Sequence, residues 1–256
     1  MMDAVLSRPW QARVTTDLDG KTVLVIGGAG GVGEGVVRAL LAAGATAIAA
    51  GRSLERLEDL AARVADSRLV TVALDALDAG LDDRASELAE QYGPFDAVVV
   101  SVASWGEQGR KMALDLTDAE WENLIAGNLT SVFRLYRAFL PHVAESGILL
   151  QLNGMSADIP FPGNAGVALT AAATKSLTRT IAAELGGRGP RIYEVILGMI
   201  RTRPRALAGI DDESWIPATD VGKHITELVA GTSPLVDDDL HYFLSPVTGP
   251  QAGSSE

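Results

Sequence analysis

The stretch KTVLVIGGAGGVGEGVVRALLAAG, residues 21–44, decides the fold. Residues 21–26 are short, apolar and β-branched, the pattern of a strand buried on both faces. Residues 32–43 then place Val36, Val37, Leu40 and Leu41 at helical spacing, and Gly44 ends the helix as a left-handed cap. Between strand and helix lies Gly27-Gly28-Ala29-Gly30-Gly31-Val32-Gly33. Glycines there let the backbone turn tightly and approach a pyrophosphate, whose charge suits the free N–H groups and dipole of a helix N-terminus. A glycine run alone is a weak signal. Between a strand and a helix it has the context that a dinucleotide-binding turn needs, although a tight packing turn without ligand would look the same.

Outward from this unit, strands and helices alternate. Strands are predicted at 45–50, 69–74, 95–101, 147–152 and 192–197. Helices are predicted at 54–64, 85–92, 118–140 with Thr117 as N-cap, 167–185 and 220–229. That alternation implies a parallel sheet covered on both faces. No internal repeat, linker or low-complexity segment interrupts it. The economical reading is a 20-residue N-terminal extension, 1–20, followed by one doubly wound α/β domain over 21–256.

Composition bounds the function. A chain of 256 residues with 47% hydrophobic content can bury a full core. The net charge is −12, with acids in IDDESW (210–215) and at 237–239, which argues against a nucleic-acid surface. Without cysteine there is no disulfide framework and no thiolate metal site. His142, His224 and His241 lack metal-ligand spacing and read as surface or helix-end residues, so no metal is expected. Residues 1–20 carry charges throughout and no signal-peptide core. The longest apolar stretch, 40–51, is too short to span a bilayer and is broken by Gly44. The expectation is a soluble cytoplasmic protein without a membrane or nucleic-acid partner.

With its glycines Gly27, Gly31 and Gly33 in the form G-x-x-x-G-x-G, the chain resembles the short-chain dehydrogenase/reductase family from about residue 21 to 249. The resemblance implies a Rossmann-type three-layer fold and a nicotinamide cofactor. It places Gly27, Gly30, Gly31, Val32 and Gly33 at the cofactor's pyrophosphate. Ile26 stands where the family has a threonine. At the end of the second strand NAD-preferring members carry an acid; here Arg52 and Ser53 stand there, which suits a 2′-phosphate and implies NADP(H) over NAD(H). A solvated helix-start arginine is the plainer alternative. Asp75, followed by Ala76, matches an adenine-contacting aspartate. The family's N-N-A-G after the fourth strand is Val100-Ser101-Val102-Ala103 here, leaving contacts near Val102 and Ala103 to the backbone. Ile200 and Thr202 match an I-x-T pattern beside nicotinamide and phosphates, with Leu197 where a proline is usual.

The family's catalytic groups are Asn, Ser, Tyr and Lys, and the resemblance finds one of them. Asn128 matches the Asn, which orders a water relay. Gly154, Val167 and Ala171 occupy the Ser, Tyr and Lys positions. No tyrosine lies between Tyr136 and Tyr193, so no local shift of register supplies one. Lys175, one turn further along the helix, and Ser156, two residues past the vacant serine, are candidate substitutes. An exposed helix lysine is the plainer reading of Lys175. Small apolar replacements turn a proton-transfer corner into a pocket for a small apolar molecule, bordered by Trp105, Met155, Phe161 and Trp215.

Three functions fit this pattern. One is an NADP(H)-dependent oxidoreductase whose substrate, an iminium or an activated double bond, needs no enzyme acid. Another is an NADP(H)-binding sensor or partner subunit without turnover. The third is a non-redox cyclase, isomerase or lyase that uses the apolar pocket to hold a substrate in shape. The family's mode of pairing, through helices 118–140 and 167–185, implies a homodimer or homotetramer.

Overall fold

Strand β1 (Thr22–Ile26) is buried on both sides, with Val23 and Val25 in one apolar core and Leu24 and Ile26 in the other. Such two-sided burial is what a short β-branched strand provides in the middle of a covered sheet. The computed structural model describes residue 10 and residues 16–253. After β1 come α1 (Gly31–Ala42), β2 (Thr46–Gly51), α2 (Leu54–Val64), β3 (Leu69–Ala73), α3 (Leu81–Tyr92) and β4 (Phe95–Val100). The second half adds α4 (Asp118–Ile125), α5 (Ser131–Phe139), β5 (Val143–Gly154), α6 (Ala165–Leu185) and β6 (Arg191–Leu197). It closes with β7 (Ile200–Arg201), α7 (Arg203–Leu207), β8 (Ile216–Pro217), α8 (Ala218–Val229), β9 (Leu240–Phe243) and β10 (Gln251–Ala252).

Eight strands form one sheet in the order β10-β9-β6-β5-β4-β1-β2-β3. Every pair in it is parallel except β10 with β9. The order reverses between β1 and β4, and a crevice opens beyond the carboxyl ends of strands at such a switch point. Helices α1 and α8 cover one face through Val36, Leu40, Val221 and Ile225. Helices α3 and α5 cover the other through Leu81, Leu88, Leu135 and Phe139. This is an α/β Rossmann-like fold. Leu18, inside the segment read from sequence as an extension, is buried in the first core, and Trp10 packs edge-on against Phe243 at 5.4 Å.

The structure differs from the sequence reading in several places. The helix expected over 118–140 is α4 and α5, joined by a π-helical turn at Ala126–Thr130. Its expected N-cap is present: Glu120 N–H donates to Thr117 Oγ1 at 3.3 Å, and Thr117 N–H donates to Glu120 Oε2 at 2.8 Å. Gly44 does take a positive φ of 98°, one residue past the cap Ala43. The reading of all three histidines as surface or helix-end residues is corrected. His142 lies half-buried in a short helical turn, but His224 and His241 are sealed in the interior and hydrogen-bonded at 3.0 Å. His241 Nε2–H donates to the carbonyls of Leu235 and Asp238, so its Nδ1 accepts from His224 Nε2–H. Burial pushes His224 down to about 3, which keeps it neutral.

Candidate functional site

The glycine turn has no room for a side chain at any of its five glycines, and Gly27 and Gly33 are the tightest. Gly27 has φ +88°, and a Cβ there would lie 2.2 Å from the Ser101 carbonyl oxygen. A Cβ on Gly33 would lie 2.1 Å from the Gly27 carbonyl oxygen. The turn is therefore pressed onto the end of β4. Gly30 caps α1 without a side chain, which leaves the helix's first N–H groups to a ligand. Glu34 in that first turn does not oppose an anion. Burial alone would raise its pKa, but Arg63 and Arg38, each 2.9 Å away, hold the carboxyl below its usual range.

A cleft of about 460 Å³ runs from this turn across the ends of β2 and β3 to the loop after β4. Gly27, Gly30, Arg52, Ser53, Asp75, Ala76, Val102 and Ala103 line it. Gly31, Val32, Gly33, Ile200 and Thr202 do not. A Cβ on Gly31 would fall 2.8 Å from Thr202 Cβ, so Thr202 lies against the turn, while Val32 packs on the first core and Ile200 is buried in it. Arg52 is exposed and, among the described residues, has no ion-pair partner. Ser53 caps α2 by accepting from Arg56 N–H at 3.3 Å. Arg56, which the sequence reading missed, also lines the cleft and donates to the Ala29 carbonyl at 3.2 Å. Its signal was its place in the first turn of α2, four residues after Arg52. Asp75 Oδ1 accepts from Leu77 N–H at 2.9 Å, an Asx turn that shapes the loop after β3.

Asn128 sits buried in the π-helical turn. Its Oδ1 accepts from Ser104 N–H at 2.7 Å, and its Nδ2 donates to the carbonyls of Ser104 and Leu124, both at 2.9 Å. The side chain thus braces the loop after β4, one residue beyond Ala103. The turn is where the helix opens to let the amide reach sideways, a common use of a π-bulge.

At the end of β5 the structure draws Gly154 and Ala171 together. Asn153 Oδ1 accepts from Gly154 N–H at 2.8 Å, and its Nδ2 donates to the Ala171 carbonyl and to Glu194 Oε1, both at 2.8 Å. Val167 is half-buried and Ala171 buried on the same helix. None of Gly154, Val167 and Ala171 carries an ionisable group. A Cβ on Gly154 would have Ser156 Oγ as its nearest neighbour, at 3.5 Å. Glu194 beneath them is fully buried, and burial pushes it up to about 7.

Lys175 is not the exposed helix lysine of the plainer reading, since 15% of its side chain reaches solvent. Its Nζ donates to Asp158 Oδ1 at 2.5 Å and to Tyr242 Oη at 2.8 Å. Tyr242 in turn donates to Asp158 Oδ2 at 2.9 Å. Nothing local in the sequence marked Tyr242. Tyr136 and Tyr193 are engaged in the interior: Tyr136 donates to Gln151 Oε1 at 2.6 Å and Tyr193 to the Val236 carbonyl at 2.8 Å. Burial pushes both phenols up.

Two of the proposed pocket residues are in contact. Trp105 meets Phe161 edge-on at 6.1 Å, which joins the loops after β4 and β5. Arg110 donates to the Pro162 carbonyl at 3.1 Å and Lys111 N–H to the Gly163 carbonyl at 2.9 Å, closing the same seam. Met155 is half-buried in the turn after Gly154. Trp215 lies under the Arg205 guanidinium at 5.3 Å, and Arg205 also donates to the Ile200 carbonyl at 2.7 Å.

Comparison with known proteins agrees with this geometry. An uncharacterized oxidoreductase of Staphylococcus aureus is 26% identical over 225 residues, covering 86% of this chain and 94% of that protein. A short chain oxidoreductase from Pseudomonas aeruginosa, described as containing an atypical catalytic center, matches in its apo form with a TM-score of 0.71 and 25% identity. The match covers 86% of this chain and 92% of that one. The NADPH-bound structure of an oxidoreductase of the same description matches at a TM-score of 0.72 and 24% identity, with the same coverage. The family model for short chain dehydrogenases matches residues 21–211, which run from β1 into the segment after α7 and include the glycine turn, Asn128 and Gly154. The chain belongs to the short chain dehydrogenase family.

Proposed function

We propose that this protein binds NADP(H) and acts as an oxidoreductase on a substrate that needs no proton from the family's tyrosine position: an iminium or an activated carbon–carbon double bond. The observation that carries the reading is the cleft, with an uncapped helix N-terminus at one end and an unpaired arginine, Arg52, at the other. Its residues fit the cofactor. Glycine-turn N–H groups suit a pyrophosphate, Arg52 suits a 2′-phosphate, and no acid stands at the end of β2 to favour a bare ribose. Asp75 borders the place for the adenine, and Asn128 holds the loop bearing Val102 and Ala103 in position. When bound, the nicotinamide supplies a hydride.

At the reacting end, Gly154, Val167 and Ala171 are read as standing in the places of the family's Ser, Tyr and Lys. A positioned general acid is worth roughly 10² to 10⁴ in rate, and an oxyanion donor roughly 10² to 10³. A simple ketone depends on both, whereas an iminium already carries its proton and an activated double bond accepts hydride at a carbon remote from its oxygen. The Trp105–Phe161 pair gives the site an apolar wall for such a substrate.

Calorimetric titration with NADPH and NADH tests the cofactor half of the reading. NADPH binds more tightly to the wild type. Arg52→Ala removes a charge-assisted contact of about 1.5–3 kcal/mol, a loss of roughly 10- to 100-fold in NADPH affinity with NADH unaffected. Equal affinity of the wild type for both cofactors overturns it.

A further inference from the structure

We propose that the proton donor of this site has been displaced rather than lost: the Tyr242 hydroxyl, bridged between Lys175 and Asp158, protonates the carbonyl end of an α,β-unsaturated carbonyl substrate. The inference rests on the NADP(H) reading above and names the substrate class for it.

Three separate elements supply the cluster. Lys175 comes from α6, Asp158 from the loop after β5, and Tyr242 from β9, and each pair is within hydrogen-bond distance. Lys175 lies one helical turn, about 5.4 Å, beyond Ala171. Tyr242 pairs in register with Ile196, which pairs with Asn153, so Tyr242 stands two strands, roughly 10 Å, from the end of β5. The loop after β5 spans this gap with polar groups. Ser156 Oγ borders the vacant position at Gly154, and Asp158, two residues on, enters the cluster. Large apolar side chains flank the cluster in sequence and are exposed: Ile159 beside Asp158, and Leu244 beyond Tyr242. The cluster itself is partly open to solvent.

Its chemistry matches the role. Lys175 Nζ donates to the Tyr242 oxygen at 2.8 Å, so the oxygen keeps a hydrogen-bond donor after the hydroxyl has given up its proton. At rest the hydroxyl donates its one proton to Asp158, and that hydrogen bond opens when a substrate oxygen takes the carboxylate's place. The displacement decides the substrate. In a ketone, the carbon that takes hydride and the oxygen that takes the proton are bonded to each other, and a donor one turn away misses. In a conjugated carbonyl the two are separated by the length of the conjugated system. Hydride adds to the β-carbon with its electron pair, the π pair of the C=C bond shifts, and an enolate forms. The enolate oxygen takes the Tyr242 proton, leaving the O–H pair on the phenolate. Lys175 returns a proton and recovers one from the solvent that it touches. The enol then tautomerises to the saturated carbonyl. The double bond is reduced and the nicotinamide oxidised.

The test follows NADPH oxidation with cyclohexenone and cinnamaldehyde, and with cyclohexanone as the saturated control, alongside calorimetric NADPH binding for every variant. The wild type reduces the enones and leaves cyclohexanone essentially untouched. Tyr242→Phe keeps the ring and its packing, binds NADPH as the wild type does, and loses roughly 10² to 10⁴ in kcat. Lys175→Arg, which keeps the charge, retains more rate than Lys175→Met. A Tyr242→Phe variant with wild-type rate overturns the inference, and so does a wild type that binds NADPH but reduces neither enone. A wild type that binds no nicotinamide cofactor overturns the reading of the cleft, and this inference with it.

Discussion

Glu194 and His224 are both sealed from water, and they titrate in opposite senses. Burial raises the Glu194 carboxyl from 4.5 to about 7, so the folded state holds a proton that the unfolded chain has released. Its stabilising share is full below pH 4.5 and is lost as pH rises through 7. His224 is lowered from 6.5 to about 3, first by burial and then by its neighbour His241. Its share is full above pH 6.5 and is lost as pH falls towards 3. Urea denaturation of Glu194→Gln separates the two. The variant shows no loss of stability between pH 4.5 and 7 from this carboxyl, a difference of roughly 3 kcal/mol from the wild type across that window. An unchanged pH profile refutes the assignment. Neither residue announced this in the sequence, because burial arises from contacts far along the chain. The same holds for Tyr242, which is 67 residues from Lys175 and 84 from Asp158. Arg52, Asp75 and the glycines were legible because each sits at the end of a strand that periodicity had already located.

Helices α1 and α8 cross where their small residues allow it. A Cβ on Gly222 would lie 2.5 Å from Ala39 Cβ and 2.7 Å from the Gly35 carbonyl oxygen. Gly222→Val therefore drives the two helices apart, at a cost of about 1–3 kcal/mol or more. Chemical denaturation of the variant reads this directly, and wild-type stability would contradict the packing. The unit β1–turn–α1 was readable from residues 21–44 alone, since glycine geometry and helical spacing are both local. The π-helical turn was not. AGNLT keeps ordinary helical character, and the turn follows from the reach of Asn128 to Ser104, a tertiary contact. Strands β9 and β10 escaped for another reason. They are four and two residues long, and the first follows directly on the acidic run at 237–239, so neither shows a period.

For the molecule as a whole, alternation of strand and helix was enough to predict a parallel sheet with two covered faces. It was not enough to find the Lys175–Tyr242–Asp158 cluster, because its members come from α6, β9 and the loop after β5 and meet only in the folded chain. The outer sides of α5 and α6 remain apolar in places: Phe133 and Leu169 are each 46% exposed. We propose that a second copy of the chain covers them, as helix pairing in this family implies. Light scattering at micromolar concentration gives a dimer or tetramer for the wild type and a monomer for the double variant Phe133→Glu, Leu169→Glu. A monomeric wild type rules this out. No helix among the described residues is long and apolar enough to cross a membrane. At the other extreme of the sheet stands β10, two exposed residues that run against their neighbour. A long bare strand edge is a template on which further chains can add, one hydrogen-bonded layer after another. An edge two residues long offers too few backbone groups to seed such growth. Strand-by-strand aggregation is therefore closed off on that flank, and self-association is left to side-chain faces that can saturate.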